Sequence, residues 1–227
     1  MKIIIYATHS FGTYETLKTH PDIVVLGFGT KWEGFIKKAQ VIHDYLNTLP
    51  DYELVAIIDG FDSYIKHTDD IEHVFKTQKC KVLVSSDNSW FKINTPYIQK
   101  KIFKSCKNNI TANSGLMMGY VKELKQTFIH IMNGPSNDDQ RNLNIACKEL
   151  PFIKVDSDNI IFENCVTIED IHKSKAYICQ KPGTISLHRI FRSFFEYIEY
   201  FIFEFIFIIV LILSIIYFKT LKKYFRF

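Results

Sequence analysis

The chain has 227 residues, 47% hydrophobic and 23% charged, with a formal net charge of +4. That suits one medium α/β domain, or one domain plus a tail. Lys219, Lys222, Lys223 and Arg226 account for the whole excess. The remaining residues carry no basic field, so no nucleic-acid partner is expected.

The first residues, "MKIIIYATHS", hold one lysine and a short apolar run. The run is too short for the apolar region of a secretory signal and reads as a buried first strand over 2–7. "THSFGTYETLKTHP" follows as a loop with a short helix, and "DIVVLGFG" as a second strand ending in glycines. "GFIKKAQVIHDYLNTLP" has helical apolar spacing and stops at Pro50. "YELVAIIDGFD" and "KVLVSSD" read as strands, "NTPYIQKKIFKS" as a helix, and "ITANSGLMMGY" as a strand–turn element. "VKELKQTFIHIM" and "NDDQRNLNIACKEL" read as helices, the second opening on acidic caps. "FIKVD" and "NIIFEN" read as short strands around a turn. Strands alternating with helices predict an α/β sheet with several parallel strands, whose ligands sit at the carboxyl ends of the strands.

Five cysteines, Cys80, Cys106, Cys147, Cys165 and Cys179, are widely spaced with no CxxC pair. They read as ordinary buried or free thiols, neither a closed zinc site nor a disulfide framework. Residues 201–218, "FIFEFIFIIVLILSIIYF", carry one charge, Glu204. Eighteen helical residues reach about 27 Å, close to a bilayer's hydrocarbon core. Tyr197, Tyr200 and Tyr217 flank the run as interfacial aromatics do. A single-pass membrane anchor is expected there. The basic tail after it favours a cytoplasmic C-terminus and a lumenal domain, whereas a tail-anchored insertion leaves the domain in the cytoplasm.

Asp59 and Asp62 close the third strand-like run with Gly60 and Phe61 between them. Two carboxylates three apart at a strand end suit a hard divalent cation such as Mn²⁺ or Mg²⁺, which bridges to phosphates. The alternative is a solvated turn. Phe61 is an aromatic able to stack on a base. Asp138 and Asp139 form a second acidic pair that equally suits a helix N-terminus. Asp156 and Asp158 read as a turn, and Gly115 permits close backbone approach. "LGFGTKWEG" lacks the dinucleotide-binding glycine spacing, and no P-loop occurs.

In order, "LGFGTKWEGFIKKAQVIHDYL", "ELVAIIDGFD", "VLVSSDNSW", "ANSGLMMGY", "NDDQ" and "VDSDNIIFEN" resemble the glycosyltransferase domain of the procollagen lysyl hydroxylase/glycosyltransferase family. The resemblance runs from about Lys2 to His188. It implies an α/β, GT-A-like (Rossmann-like) nucleotide-sugar-binding domain with a mixed sheet, using Mn²⁺ and a UDP-sugar. It implies Asp59, Asp62 and His188 as metal ligands and Phe61 as the platform for uracil. It further implies Thr8, Trp32, Lys38 and Asn113 beside the donor, and Asp138 and Asp139 by the transferred sugar. The family's H-G-N-G is His188–Arg189–Ile190–Phe191 here.

The resulting organisation is a transferase domain over 1–188, a juxtamembrane connector over 189–200, a transmembrane helix over 201–218 and a basic tail over 219–227. The expected activity moves a hexose, galactose or glucose, from a UDP-sugar to a hydroxyl-bearing protein or glycan acceptor, hydroxylysine or galactosylhydroxylysine of a collagen-like protein among them. The other reading is a catalytically silent transferase-like domain serving as a membrane-tethered binding module. No iron-dependent hydroxylase domain is expected within these residues.

Overall fold

The computed structural model describes residues 1–87, 96–182, 195 and 197–224. Its central sheet has six strands in the order β2-β1-β3-β6-β5-β7. These are β1 (Lys2–Tyr6), β2 (Ile23–Leu26), β3 (Leu54–Asp59), β5 (Val82–Ser86), β6 (Ala112–Tyr120) and β7 (Ile153–Asp156). β6 runs antiparallel to its neighbours β3 and β5, and every other pairing is parallel. A second sheet, β4-β9-β8, joins β4 (Ser63–Ile65), β8 (Phe162–Asn164) and β9 (Ile178–Gln180).

Side chains alternate across the sheet, as the period of two requires. Ile4, Tyr6, Val55, Ile57, Val84 and Met117 point into one core. That core also takes the apolar faces of α2 (Phe35–Leu46), α5 (Val121–Met132) and α6 (Asp139–Glu149). Ile3, Ile5, Ala56, Ile58, Leu83 and Met118 point into the other. There α1 (Tyr14–Leu17), α3 (Ile71–Thr77) and the small sheet cover them. Helices α4 (Pro96–Phe103) and α7 (Ile168–Lys173) complete this unit, which ends at Gly183.

Two expectations change. "ITANSGLMMGY" holds one continuous strand, β6, whose residues 114–116 have no partner on β5, because the register jumps from Val84–Met117 to Ser85–Asn113. Cys106 and Cys147 are not free thiols but a disulfide, with Cα atoms 5.3 Å apart. It ties the segment after α4 to α6. Sequence spacing gave no sign of it because the two cysteines are 41 residues apart and meet only through the fold. Cys80, Cys165 and Cys179 are free.

Residues 184–227 form a separate unit. Its helix α8 (Ile202–Tyr224) follows a short 3₁₀ turn, Ile198–Phe201. Within Ile198–Thr220 an 18-residue window reaches a mean hydropathy of 2.9 with 0% of it buried, and the helix is long and apolar enough to cross a membrane.

Candidate functional site

β1, β3 and β5 deliver their carboxyl ends, and β6 its amino end, to one edge of the large sheet. Asp59 is the last residue of β3, with Tyr6 beside it in register. On the other side Ile58 pairs with Leu116, which sets Gly115 next to Asp59. A Cβ on Gly115 would stand 2.5 Å from Asp59 Oδ2 and 2.4 Å from Gln180 Oε1. Glycine at 115 is therefore what lets these two side chains converge. Asn113 Oδ1 accepts from Gly115 N at 2.7 Å and fixes the strand where it passes them.

Lys38 reaches this edge from the first turn of α2. Its neighbour Ala39 packs inward, which turns Lys38 toward the sheet while Lys37 faces solvent. Lys38 Nζ donates to Asp59 Oδ1 at 2.5 Å and lies 3.9 Å from Asp139 Oδ2. Burial alone would lower the Lys38 pKa. The charges of Asp59 and Asp139 and the hydrogen bond to Asp59 outweigh it and hold the ammonium above its ordinary range.

Helix α6 begins at the same edge. Asp138 is its N-cap, accepting from Arg141 N at 2.8 Å. Asp139, one residue on, is buried and accepts from Ser114 Oγ at 3.1 Å. Burial pushes the Asp139 carboxyl up to about 6, against the pull of Lys38. The two acids thus divide. Asp138 shapes the helix end, and Asp139 faces Lys38 with a proton affinity suited to transfer near neutral pH. Asn144 fastens α6 to β6, accepting from Ala112 N at 2.8 Å and donating to Ala112 O at 2.9 Å.

The small sheet supplies a residue that sequence reasoning missed. Gln180 pairs in register with Ser63, directly after Asp62, and with Asn164 on its other side. Its Nε2 donates to Asp59 Oδ2 at 2.8 Å and to Asp62 Oδ1 at 3.0 Å. One atom within hydrogen-bond reach of both carboxylates means that Asp59 and Asp62 converge on a common point. Gln140 was also missed, and it donates to Asp87 Oδ2 at 2.7 Å at the end of β5. "ICQKPG" offers no motif, and Gln180 lies 121 residues from Asp59.

The other expected residues sit around this centre. Thr8 is buried beyond β1, where its carbonyl accepts from Gly29 N at 2.9 Å and its hydroxyl meets His9 Nδ1 at 2.9 Å. Trp32 is 42% exposed, with its ring edge-on to Tyr6 at 6.0 Å and Phe35 at 5.3 Å. The Phe61 ring packs against His9 at 5.1 Å and Phe11 at 5.9 Å, while its carbonyl accepts from Thr13 N at 2.9 Å. Phe61 thus belongs to an aromatic group beside the carboxylates. Asp156 accepts from the backbone of Ile160, Ile161 and Phe162, the turn expected of it. His188 lies outside the described residues. Among those described, no three His, Cys, Asp or Glu side chains cluster as metal ligands.

The donor types present fit a hard divalent ion, since one atom, Gln180 Nε2, reaches a carboxylate oxygen of both Asp59 and Asp62.

No protein-family model matches the sequence, and neither does any curated protein. Solved structures do resemble it. The bifunctional glycosyltransferase WbbM superposes with a TM-score of 0.50 at 10% identity. That match covers 81% of this chain and 46% of WbbM, so the chain spans about half of it. A glycosyltransferase involved in glycosylating the major capsid of PBCV-1 gives a TM-score of 0.48 at 11% identity, over 82% of this chain and 95% of that one. The galactosyltransferase LgtC, with donor and acceptor sugar analogs, gives 0.44 at 12%, over 81% and 87%. The chain has a GT-A-like α/β fold.

Proposed function

We propose that the chain is a membrane-anchored, Mn²⁺-dependent glycosyltransferase that moves a hexose from UDP-galactose or UDP-glucose to a hydroxyl acceptor. Hydroxylysine, or galactosylhydroxylysine, of a collagen-like protein is the acceptor class that the sequence resemblance favours. The observation that carries the reading is the meeting of Asp59, Asp62, Lys38 and Asp139 at the carboxyl edge of a GT-A-like sheet. Residues 1–188 are the transferase domain, 189–200 a connector, 201–218 the span and 219–227 the basic tail.

Asp59 and Asp62 would hold the cation, with His188 as a further ligand by the resemblance. Bound there, the cation supplies charge stabilisation to the departing diphosphate. Lys38, held charged and buried, adds a fixed positive charge beside the same group. Asp139, with its pKa near 6, accepts the proton of the acceptor hydroxyl. Asp138 positions Asp139 by capping α6. Thr8, Trp32, Phe61 and Asn113 bound the space for the nucleoside and sugar.

A second reading, a silent transferase-like binding module, is favoured by one observation. Asp59 already has both oxygens engaged, by Lys38 and Gln180. One experiment separates the two. The full chain in detergent is supplied with Mn²⁺ and each UDP-sugar, and UDP release is measured beside Asp59→Ala. Release abolished by Asp59→Ala supports the enzyme. UDP binding without release supports the module, and absence of both overturns the nucleotide-sugar reading.

A further inference from the structure

We infer that Gln180 is a ligand of the divalent cation, supplying its side-chain oxygen between Asp59 and Asp62. This rests on the metal-dependent reading above and assigns a residue that neither the motif nor the resemblance includes.

Three observations carry it. First, Gln180 Nε2 donates to one oxygen of each carboxylate at 2.8 and 3.0 Å, so the amide end stands beside both aspartates. Second, Gln180 is 2% exposed, yet its Oε1 has no hydrogen-bond partner among the described residues. A buried, unpaired carbonyl oxygen destabilises the fold, so it needs a reason to be kept. Third, Ser63 and Asn164, its register partners on either side, also carry buried oxygens, Oγ and Oδ1, without partners among the described residues.

The two ends of a primary amide have nearly the same size and differ in sign. Rotation about the last side-chain torsion exchanges them without moving the backbone. The backbone is pinned, because Gln180 O accepts from Cys165 N at 2.7 Å and Lys181 N donates to Asp62 O at 2.9 Å. After rotation the amide oxygen faces the two carboxylates, and the three oxygens form the hard donor set that a divalent cation takes. The same side chain thus satisfies the two aspartates without metal and ligates the metal when it binds. Gly115 makes room for either arrangement, since a Cβ there would meet both amide atoms within 2.5 Å.

The test is Mn²⁺ binding by calorimetry on the full chain in detergent, with wild type, Gln180→Leu, Gln180→Glu and Asp59→Asn. Mn²⁺-dependent thermal stabilisation is the second readout. Wild type is expected to bind Mn²⁺, and Gln180→Leu to bind at least about tenfold more weakly. Gln180→Glu keeps an oxygen and adds a charge, so it binds at least as tightly as wild type while melting lower without metal. A purely structural glutamine would lower the melting temperature equally with and without Mn²⁺. Wild-type affinity in Gln180→Leu overturns the inference and leaves the transferase reading intact. Absence of Mn²⁺ binding in wild type, with or without UDP, overturns both. If Gln180→Leu does not fold, Gln180→Glu decides, and loss of Mn²⁺ binding in that folded variant overturns the inference.

Discussion

Lys38 Nζ and Asp59 Oδ1, 21 residues apart in sequence, stand 2.5 Å apart at the end of β3. The pair is largely buried, and Asp139 lies on the far side of the same ammonium. One cation therefore balances two carboxylates that would otherwise repel each other. Lys38→Met removes it and leaves both acids uncompensated. A loss of about 3 kcal/mol is expected, because breaking a buried pair from one side strands the other charge. Urea denaturation measures it. Asp139→Asn in the Lys38→Met background should recover part of the loss, and no recovery would rule out the shared-charge account.

Gly115 tests how tightly the site is packed. Gly115→Ala puts a methyl group 2.4 to 2.5 Å from Gln180 and Asp59. Neither can retreat freely, since both are tied into the network. A loss of about 1–3 kcal/mol is expected from the overpacking, together with loss of Mn²⁺-dependent thermal stabilisation. Thermal melts with and without Mn²⁺ separate the two effects.

These residues differ in how far the sequence exposed them. Asp59 and Asp62 were legible because an apolar strand with a clear pattern ends on them. The strands of the large sheet were legible for the same reason. β4 and β9 were not, since Ser63–Ile65 and Ile178–Gln180 are three residues each, too short to show a period. They exist because their partners lie across the fold, and Gln180 was invisible with them. Lys38 and Lys37 look alike in "FIKKAQ", and only the inward turn of Ala39 and Ile42 tells which one enters the site. The "NDDQ" pair presented two alternatives, a cap and a site acid. The structure makes Asp138 the cap and buries Asp139 beside Lys38 and Ser114.

Asp139 sets the pH behaviour. Its carboxyl is raised to about 6 by burial, so the folded state holds the proton more tightly than the unfolded chain does. The stability tied to this group is present below the ordinary carboxylate range and is lost as pH rises through about 6. Relative to Asp139→Asn, the wild-type melting temperature should fall between about pH 4 and 6. Turnover in the proposed transferase should run the other way, since Asp139 as a base must be ionised. UDP-sugar turnover should rise about tenfold per unit up to pH 6 and then level. A turnover profile flat from pH 4 to 6 would remove Asp139 as the base.

The Cys106–Cys147 disulfide closes a span of 41 residues and anchors α6, the helix carrying Asp138 and Asp139. Loop-closure entropy for that span gives about 4 kcal/mol. Reductant should lower the denaturation midpoint of wild type accordingly. It should leave a chain carrying both Cys106→Ser and Cys147→Ser unaffected.

The same bridge bears on which side of a membrane the domain faces. Disulfides persist in oxidising compartments. Lys219, Lys222 and Lys223 follow the apolar stretch, and basic residues stay cytoplasmic. Should α8 cross a membrane once, both would fit a lumenal domain. Asn109 begins the sequon Asn109–Ile110–Thr111 and is exposed. In a eukaryotic secretory membrane it should carry a glycan, seen as a glycosidase-sensitive shift on a gel that Asn109→Gln abolishes. The chain should also resist alkaline carbonate extraction. Ile209→Arg with Ile212→Arg should release it, since each arginine mid-span costs about 2.5–3.5 kcal/mol. Both isoleucines are about half exposed among the described residues, so the substitutions act on membrane insertion rather than on packing. Carbonate release of the wild-type chain would end the anchor reading. An unshifted band with carbonate resistance would instead put the domain on the cytoplasmic side, where the Cys106–Cys147 bridge would have to survive reducing conditions.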